Sequence, residues 1–218
     1  MLKLQNRVLS KSEILSVIAY HKSWRRRKLL STGRNLVVFR LSCCCALRRK
    51  EIAGLNLGDL FFDTEKPFLR VRKETTKGYR KTGTTEVMRK ARKVSLSIDT
   101  ATREDLKAWW AIRMQQSGGD KSAALVCGTT AVNLGKRLLP SQVAKMWRTA
   151  LHPLGKDRAR TTGIHSGRHT CLSHLVRLNY PLAFVRDFAG HRNIATTSLY
   201  AHSFDEDSLP QDAFGGDA

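Results

Sequence analysis

The sequence predicts a mostly helical α+β fold with one small antiparallel β-sheet. Apolar residues recur at helical spacing in the first 56 residues and again after Asp99. Between these two parts, residues 60–98 carry three short runs rich in β-branched and aromatic residues, which is typical of strands. The length of 218 residues is sufficient for one large domain or two small ones with a sizeable core.

The first part of the chain predicts three helices. Ser10 and Glu13 form a capping-box pattern directly before apolar residues at helical spacing, so a helix is expected to begin there. The almost wholly apolar stretch 35–47 predicts a second, buried helix, and residues 48–56 predict a short third one. The three consecutive cysteines of the second stretch, at positions 43–45, are expected to pack as small apolar side chains.

The strand-like runs lie at residues 60–62, 68–72 and 93–98. The segment 66–93 carries eleven Lys and Arg residues against two acids, and its middle is polar and contains glycine. These features predict a basic β-hairpin with a long tip.

The chain returns to helical patterns after the last strand. Asp99 or Thr100 is expected to cap a helix that ends near Gln116 and that places Trp109 in the core. Further helices are predicted at residues 141–154, 165–178, 181–189 and 193–202.

The charge of the chain is high and unevenly placed. The formal net charge is +21, from 39 Lys and Arg residues and 18 Asp and Glu residues. All of the basic residues and 13 of the acids lie in residues 1–200, which therefore carry +26, whereas the last 18 residues carry −5. A body this basic attracts a polyanion, and nucleic acid is the commonest one. A merely solubilising surface or a membrane-surface patch is a weaker interpretation, because no separate basic amphipathic helix is present.

The sequence also bears on the cellular compartment. No apolar run approaches the roughly 20 residues that span a bilayer, and the N-terminus lacks the apolar region of a signal peptide. The five cysteines are an odd number and contain no C-x-x-C pair, which favours reduced thiols over a disulfide or metal framework. We therefore expect a cytoplasmic protein without a membrane partner.

Three separated segments share a chemical theme of Arg, His and Tyr side chains. They cover residues 47–52, 165–170 and 190–200. His165 and Arg168 are three residues apart on a predicted helix and so share a face. His191 and Tyr200 are nine residues apart, across a turn and the start of the next helix, and this spacing allows them to converge.

In this order and spacing the segments closely resemble the catalytic domain of the tyrosine recombinases, the family of phage integrases and chromosome-dimer resolvases. That family has an Arg before x-x-Glu-Leu, then His-x-x-Arg-His, then Leu-Gly-His, and a Tyr nine residues beyond the last His. The matching positions of this chain are Arg48, Glu51, His165, Arg168, His169, Gly190, His191 and Tyr200. The resemblance implies the tyrosine-recombinase catalytic-domain fold over residues 1–203, followed by an acidic tail at 204–218 that docks on a neighbouring protomer. The family's N-terminal core-binding domain is expected to be absent.

The resemblance also implies a catalytic set for DNA strand cleavage and rejoining. Tyr200 would be the nucleophile and would form a 3′-phosphotyrosyl link. Arg48 and Arg168 would stabilise charge on the non-bridging oxygens, since guanidinium groups are permanently charged donor forks. His165 would assist proton transfer from the phenol, and His191 would hydrogen-bond the phosphate. No metal ion and no small-molecule cofactor are implied.

In the family, a lysine of the β-hairpin protonates the leaving 5′-oxygen. Lys77 is the preferred candidate here, because Thr76-Lys77-Gly78 most resembles the integrase pattern. Lys73 and Lys81 remain as alternatives.

Other matched positions are expected to have supporting roles. Glu51 and Asp59 are interpreted as structural, and His169 as a support beside the second arginine. Gly167 stands where the family usually has an apolar residue, and a glycine inside a helix predicts looser local packing.

The function that this resemblance implies is site-specific recombination by a tetramer of the chain on double-stranded DNA. Two alternatives stay open at this point. One is a nicking and closing activity similar to that of type IB topoisomerases, and the other is a non-catalytic DNA-binding protein that kept the fold.

Overall fold

The computed structural model describes residues 8–23, 29–76, 78–80, 87–88 and 90–200. Helices within these ranges are α1 (Lys11–Ser23), α2 (Leu29–Cys43), α3 (Arg49–Gly54), α4 (Thr100–Gln116), α5 (Pro140–Ala150), α6 (Lys156–Thr161), α7 (Ile164–Arg177), α8 (Leu182–Ala189) and α9 (Ala195–Ser198). Strands are β1 (Leu60–Phe61), β2 (Phe68–Val71), β3 (Tyr79–Arg80), β4 (Val87–Met88) and β5 (Arg92–Ser95). None of the described helices combines the length and the apolar character that crossing a membrane requires.

The predicted mostly helical fold with a small antiparallel sheet is confirmed. Strands β1, β2 and β5 form one antiparallel sheet in that order, with Leu69 opposite both Leu60 and Val94. Alternate side chains of β2 enter the core, since Leu69 and Val71 are fully buried. The short strands β3 and β4 pair with each other and extend the basic hairpin that the sequence predicts.

The central helix of the fold is α2. It packs against α1, α4, α5 and α7, and every residue from Leu36 to Cys43 is buried. The predicted range of 35–47 was wrong at both ends. The helix begins at Leu29, and the sequence did not predict this boundary because polar residues such as Thr32 face the interior and interrupt the apolar pattern. It ends at Cys43 because Ala46 adopts a left-handed conformation with φ of 53°.

The C-terminal helices follow the predicted order, with three differences. Helix α5 ends at Ala150, short of the predicted residue 154, and His152–Leu154 forms a separate 3₁₀ turn that contains Pro153. Helix α6 was not predicted, since its sequence is polar and lacks an apolar repeat. Helix α9 is shorter than the predicted range of 193–202, and residues 201–202 lie outside the described part of the chain. The acidic segment 204–218 also lies outside it.

The expectation of loose packing at Gly167 was wrong. A Cβ atom at this position would lie 2.5 Å from Cη2 of Trp147 and would also contact the Ser42 hydroxyl. Trp147 is fully buried, stacks on Phe39 at 5.5 Å between ring centroids, and donates its indole N–H to the Thr162 carbonyl. The glycine therefore permits the close contact between α7, α2 and α5.

Replacing Gly167 with alanine is expected to destabilise the fold by about 1–2 kcal/mol. Overpacking costs about 1–3 kcal/mol, which exceeds the gain of about 0.5–1 kcal/mol from alanine in a helix. Urea unfolding followed by circular dichroism measures the change. Gly33→Ala on α2 is the control and is expected to destabilise the fold less, because its Cβ would approach Trp109 only to 3.0 Å. A G167A protein as stable as the wild type contradicts the packing argument.

Candidate active site

A cleft of about 1390 Å³ opens between the sheet and the loop that follows α8. The basic residues of its lining are Arg48, Lys66, Lys90, Arg92, Lys93, Arg186 and Arg192, and the acidic ones are Glu65 and Asp187. The excess of basic side chains gives the cleft a positive potential, which favours an anionic ligand. The three segments singled out in the sequence, residues 47–52, 165–170 and 190–200, meet at or beside this cleft.

Arg48 lies between the left-handed turn at Ala46 and the first residue of α3. Its own backbone is extended, with φ of −78° and ψ of 152°. The Arg48 backbone N–H donates to Oε2 of Glu51 at 2.8 Å, and its Nη1 donates to Oε1 at 3.0 Å. Because Glu51 is fully buried, these two bonds fix Arg48 in both backbone and side chain.

The Glu51 carboxylate is held in its charged form by its neighbours. Burial alone raises the pKa of this carboxyl, but the hydrogen bonds and charges of Arg92 and Arg48 lower it below its usual value. Arg92 donates from Nη1 to Oε1 at 2.7 Å and from Nη2 to Oε2 at 3.0 Å. Arg92 was not singled out in the sequence, because it lies in a run of basic residues.

Arg168 lies on the buried face of α7 and is only 6% exposed. Its Nη1 donates to the Ala46 carbonyl, and its Nη2 donates to the Ala189 carbonyl at 2.5 Å. It therefore connects the turn before Arg48 with the C-terminus of α8. Burial, followed by the charges of Arg48 and Arg92, lowers the pKa of Arg168, although a guanidinium stays protonated at neutral pH.

His191 follows the left-handed residue Gly190, which ends α8 with φ of 65°. The Nδ1 atom of His191 lies 2.9 Å from the Thr197 hydroxyl on α9. Burial, together with the charges of Arg168 and Arg48, lowers the pKa of His191 to about 4. Its imidazole is therefore neutral at pH 7.

The Tyr200 side chain is buried, with 5% of its surface exposed. Its hydroxyl lies 2.7 Å from Nδ1 of His169, and its ring lies parallel to that of His191 at 6.4 Å between centroids. Burial raises the pKa of the phenol, and the charges of Arg168 and Arg48 partly oppose this rise. The phenol is therefore protonated at neutral pH. Sequence reasoning gave His169 only a supporting role, whereas the structure puts it in contact with Tyr200.

His165 lies in the first turn of α7, on an exposed part of the helix. Partial burial of the ring and the charges of Arg49, Arg168 and Arg48 lower its pKa. Arg48 and Arg168 thus act electrostatically on all three of His165, His191 and Tyr200.

Of the six predicted site residues, Arg168, His191 and Tyr200 lie beside one another and beside the turn before Arg48, and His165 lies within range of the charges of Arg48 and Arg168. The sixth, Lys77, lies outside the described residues, as does the alternative Lys81. The remaining alternative, Lys73, is exposed in a short 3₁₀ turn directly after β2.

Comparison with known proteins identifies the family. The model of the phage integrase family matches residues 7–207. The tyrosine recombinase XerC of Azotobacter vinelandii is 32% identical over 170 residues, which cover 78% of this chain and 48% of the relative. XerC of Pseudomonas aeruginosa strain LESB58 is 32% identical over the same length and is covered to 47%. The chain thus spans about half the length of these curated relatives.

Solved structures show the same fold. The XerA recombinase superposes with a TM-score of 0.66 at 19% identity, covering 91% of this chain and 59% of that one. The XerH site-specific recombinase bound to a palindromic difH substrate superposes with a TM-score of 0.64 at 18% identity, covering 89% and 49%. The family match spans more than nine-tenths of the sequence and includes every residue of the site described above. The chain therefore belongs to the phage integrase family of tyrosine recombinases.

Proposed function

We propose that this chain is a site-specific DNA recombinase that cleaves and rejoins strands through a 3′-phosphotyrosyl intermediate. One observation carries the proposal. The buried Tyr200 phenol contacts the imidazoles of His169 and His191, and Arg168 joins the turn before Arg48 to the end of α8, beside a basic cleft that Arg48 and His191 line. This combination suits attack on a phosphodiester, in which a nucleophile and a charge-stabilising pair must surround one phosphorus atom.

Arg48 and Arg168 stabilise the negative charge that develops on the non-bridging oxygens. Two of the five N–H donors of Arg168 bind carbonyl groups, and within the described residues the other three have no acceptor and are available to a phosphate. Arg48 and Arg92 pair with one buried carboxylate, that of Glu51, and Arg168 adds a third guanidinium group whose charge interacts with the same carboxylate without an ion pair. The resulting net positive charge is compensated when a phosphate binds.

Tyr200 is the nucleophile. Its hydroxyl oxygen bonds to phosphorus, the bond from phosphorus to the 5′-oxygen breaks, and the phenol proton passes to a base. His165 accepts that proton in the mechanism the family resemblance implies. His169 is a second candidate acceptor, because its Nδ1 lies 2.7 Å from the hydroxyl. His191 hydrogen-bonds the phosphate as a neutral imidazole.

The 5′-oxygen takes a proton as it leaves. Lys77 is the proposed donor, with Lys73 and Lys81 as alternatives from the same hairpin. Reversal of these steps by a new 5′-hydroxyl rejoins the strand without ATP, since the phosphotyrosyl link retains the energy of the phosphodiester.

Double-stranded DNA is the proposed partner. The cleft has seven basic and two acidic side chains in its lining, and related folds include XerH bound to difH and a lambda integrase dimer bound to a core site.

Exchange of strands between two duplexes requires four protomers, so a tetramer on DNA is the proposed assembly. Residues 1–203 form the catalytic domain, residues 204–218 dock on a neighbouring protomer, and the cytoplasm is the site of action. The topoisomerase-like and non-catalytic alternatives are not favoured, because the relatives are tyrosine recombinases.

Covalent capture tests this proposal. The chain is incubated with a library of nicked duplexes whose sequence around the nick is randomised, so that cleavage releases a short fragment and cannot reverse. We expect an adduct that survives denaturing detergent, with the DNA 3′-phosphate mapped to Tyr200 by mass spectrometry of its peptide. No adduct at any sequence, or an adduct on a different residue, contradicts the proposed function.

A further inference from the structure

Arg92 is the first residue of β5 and belongs to the basic run of residues 66–93. Its side chain is 10% exposed, which is unusual for an arginine in such a run. All three nitrogen atoms of its guanidinium group donate to acceptors within the protein. This degree of burial and bonding indicates a specific role in the site.

One side of Arg92 determines the position of Arg48. Its two terminal nitrogens form a bidentate pair with the fully buried carboxylate of Glu51. The same carboxylate accepts bonds from the backbone and the side chain of Arg48. The position of Arg48 therefore depends on a carboxylate that Arg92 holds in place from the sheet.

The other side of Arg92 determines the position of the His191 loop. Its Nε donates to the Phe188 carbonyl at 3.2 Å, in the last turn of α8. Its Cδ lies against Gly190, where a Cβ atom would approach it to 2.8 Å. Arg168 binds the adjacent carbonyl, that of Ala189. Two guanidinium groups thus hold the C-terminus of α8, where the helix dipole favours positive charge.

We propose that Arg92 is a positioning residue that fixes Arg48 and His191 relative to each other, so that both meet the same phosphate. We assign it no contact with the phosphate, because each of its three guanidinium nitrogens already donates to Glu51 or Phe188, whereas Nε of Arg168 has no acceptor among the described residues. This role rests on the proposed function, because the spacing matters only if both groups act on one phosphodiester. Misplacement of such groups by about 1 Å lowers a rate by about 100-fold.

Single-turnover cleavage of a nicked duplex recovered from the capture experiment tests the role. Arg92→Met is expected to lower the cleavage rate constant at saturating DNA by about 10- to 100-fold. The Kd for the same DNA, measured at one fixed salt concentration, is expected to change less than threefold. Arg92→Lys is expected to restore part of the rate, since the ammonium group reaches Glu51 but cannot form the bidentate pair.

Arg70→Met is the matched control. Arg70 lies on the adjacent strand β2 and pairs with Asp59, outside the cluster of Arg48, Glu51 and Arg92. A rate loss equal to that of Arg92→Met in this variant, or a wild-type rate in Arg92→Met, overturns the role of Arg92. Absence of cleavage by the wild-type chain contradicts the proposed function instead.

A measurement without DNA tests the positioning role of Arg92 separately from the proposed function. Amide NMR of Arg92→Lys and Arg92→Met is expected to shift the resonances of both Arg48 and His191 more than Arg70→Met does. The effect of Arg92→Lys is expected to be the smaller of the two, and this variant keeps a partner for Glu51 if Arg92→Met fails to fold. Unshifted resonances at either Arg48 or His191 overturn the inference.

Discussion

Replacing Tyr200 with phenylalanine is expected to abolish covalent capture of DNA completely while leaving the fold and the DNA affinity nearly unchanged. The ring keeps its buried position against His191, and the hydrogen bond from the hydroxyl to His169 is lost. Loss of one such bond costs about 1 kcal/mol. The phenol is neutral at pH 7, so its removal changes no charge that attracts the phosphate backbone.

The measurement combines denaturing gels for the adduct with fluorescence anisotropy for DNA binding. Tyr180→Phe is the matched control, because Tyr180 is stacked on Phe184 at 5.3 Å and has no part in the site. This control is expected to form the adduct at the wild-type rate. If Tyr200→Phe still forms an adduct, the nucleophile is another group and the proposed mechanism is wrong.

Much of the fold could be predicted from local sequence patterns. The capping box at Ser10 and Glu13 marks the start of α1, and Glu13 accepts the Ser10 N–H as that motif requires. The alternation in β2 places Leu69 and Val71 in the core. Such features depend on interactions between residues that are close in the sequence, so the sequence alone predicts them.

The N-terminal boundary of α2 could not be predicted in this way. Thr32 and Asn35 are buried although they are polar, so the apolar pattern begins later than the helix does. The tight packing at Gly167 could not be predicted from the sequence either, because the Trp147 side chain that fills the space comes from a different helix. Both features depend on contacts between distant segments.

The same distinction applies to the candidate site. The order and spacing of Arg48, His165, Arg168, His191 and Tyr200 were sufficient to predict a common site through the family resemblance. Arg92 could not be found, because its contacts with Glu51 and Phe188, 41 and 96 residues away in the chain, distinguish it from the basic residues around it. The contact between His169 and Tyr200 likewise joins residues 31 positions apart.

Replacing Arg168 with lysine is expected to lower the rate of covalent capture by about 10²- to 10³-fold, the loss seen when one preorganised donor to a developing anion is removed. The substitution keeps the positive charge, so a large loss would show that geometry is essential. Arginine binds the carbonyls of Ala46 and Ala189 simultaneously and retains further N–H donors for a phosphate. A single ammonium group cannot bind both carbonyls and a phosphate with the same geometry.

The second effect of Arg168→Lys concerns the turn before Arg48. Ala46 is a non-glycine residue with φ of 53°, a conformation that costs about 1–3 kcal/mol and persists only when its surroundings hold it. The guanidinium of Arg168 binds the carbonyl of this residue, so lysine is expected to lower the free energy of unfolding as well as the capture rate. Arg177→Lys, on the exposed C-terminal turn of the same helix, is expected to change neither quantity. If Arg168→Lys captures DNA at the wild-type rate, positive charge alone is sufficient at this position, and the paired-guanidinium mechanism is wrong.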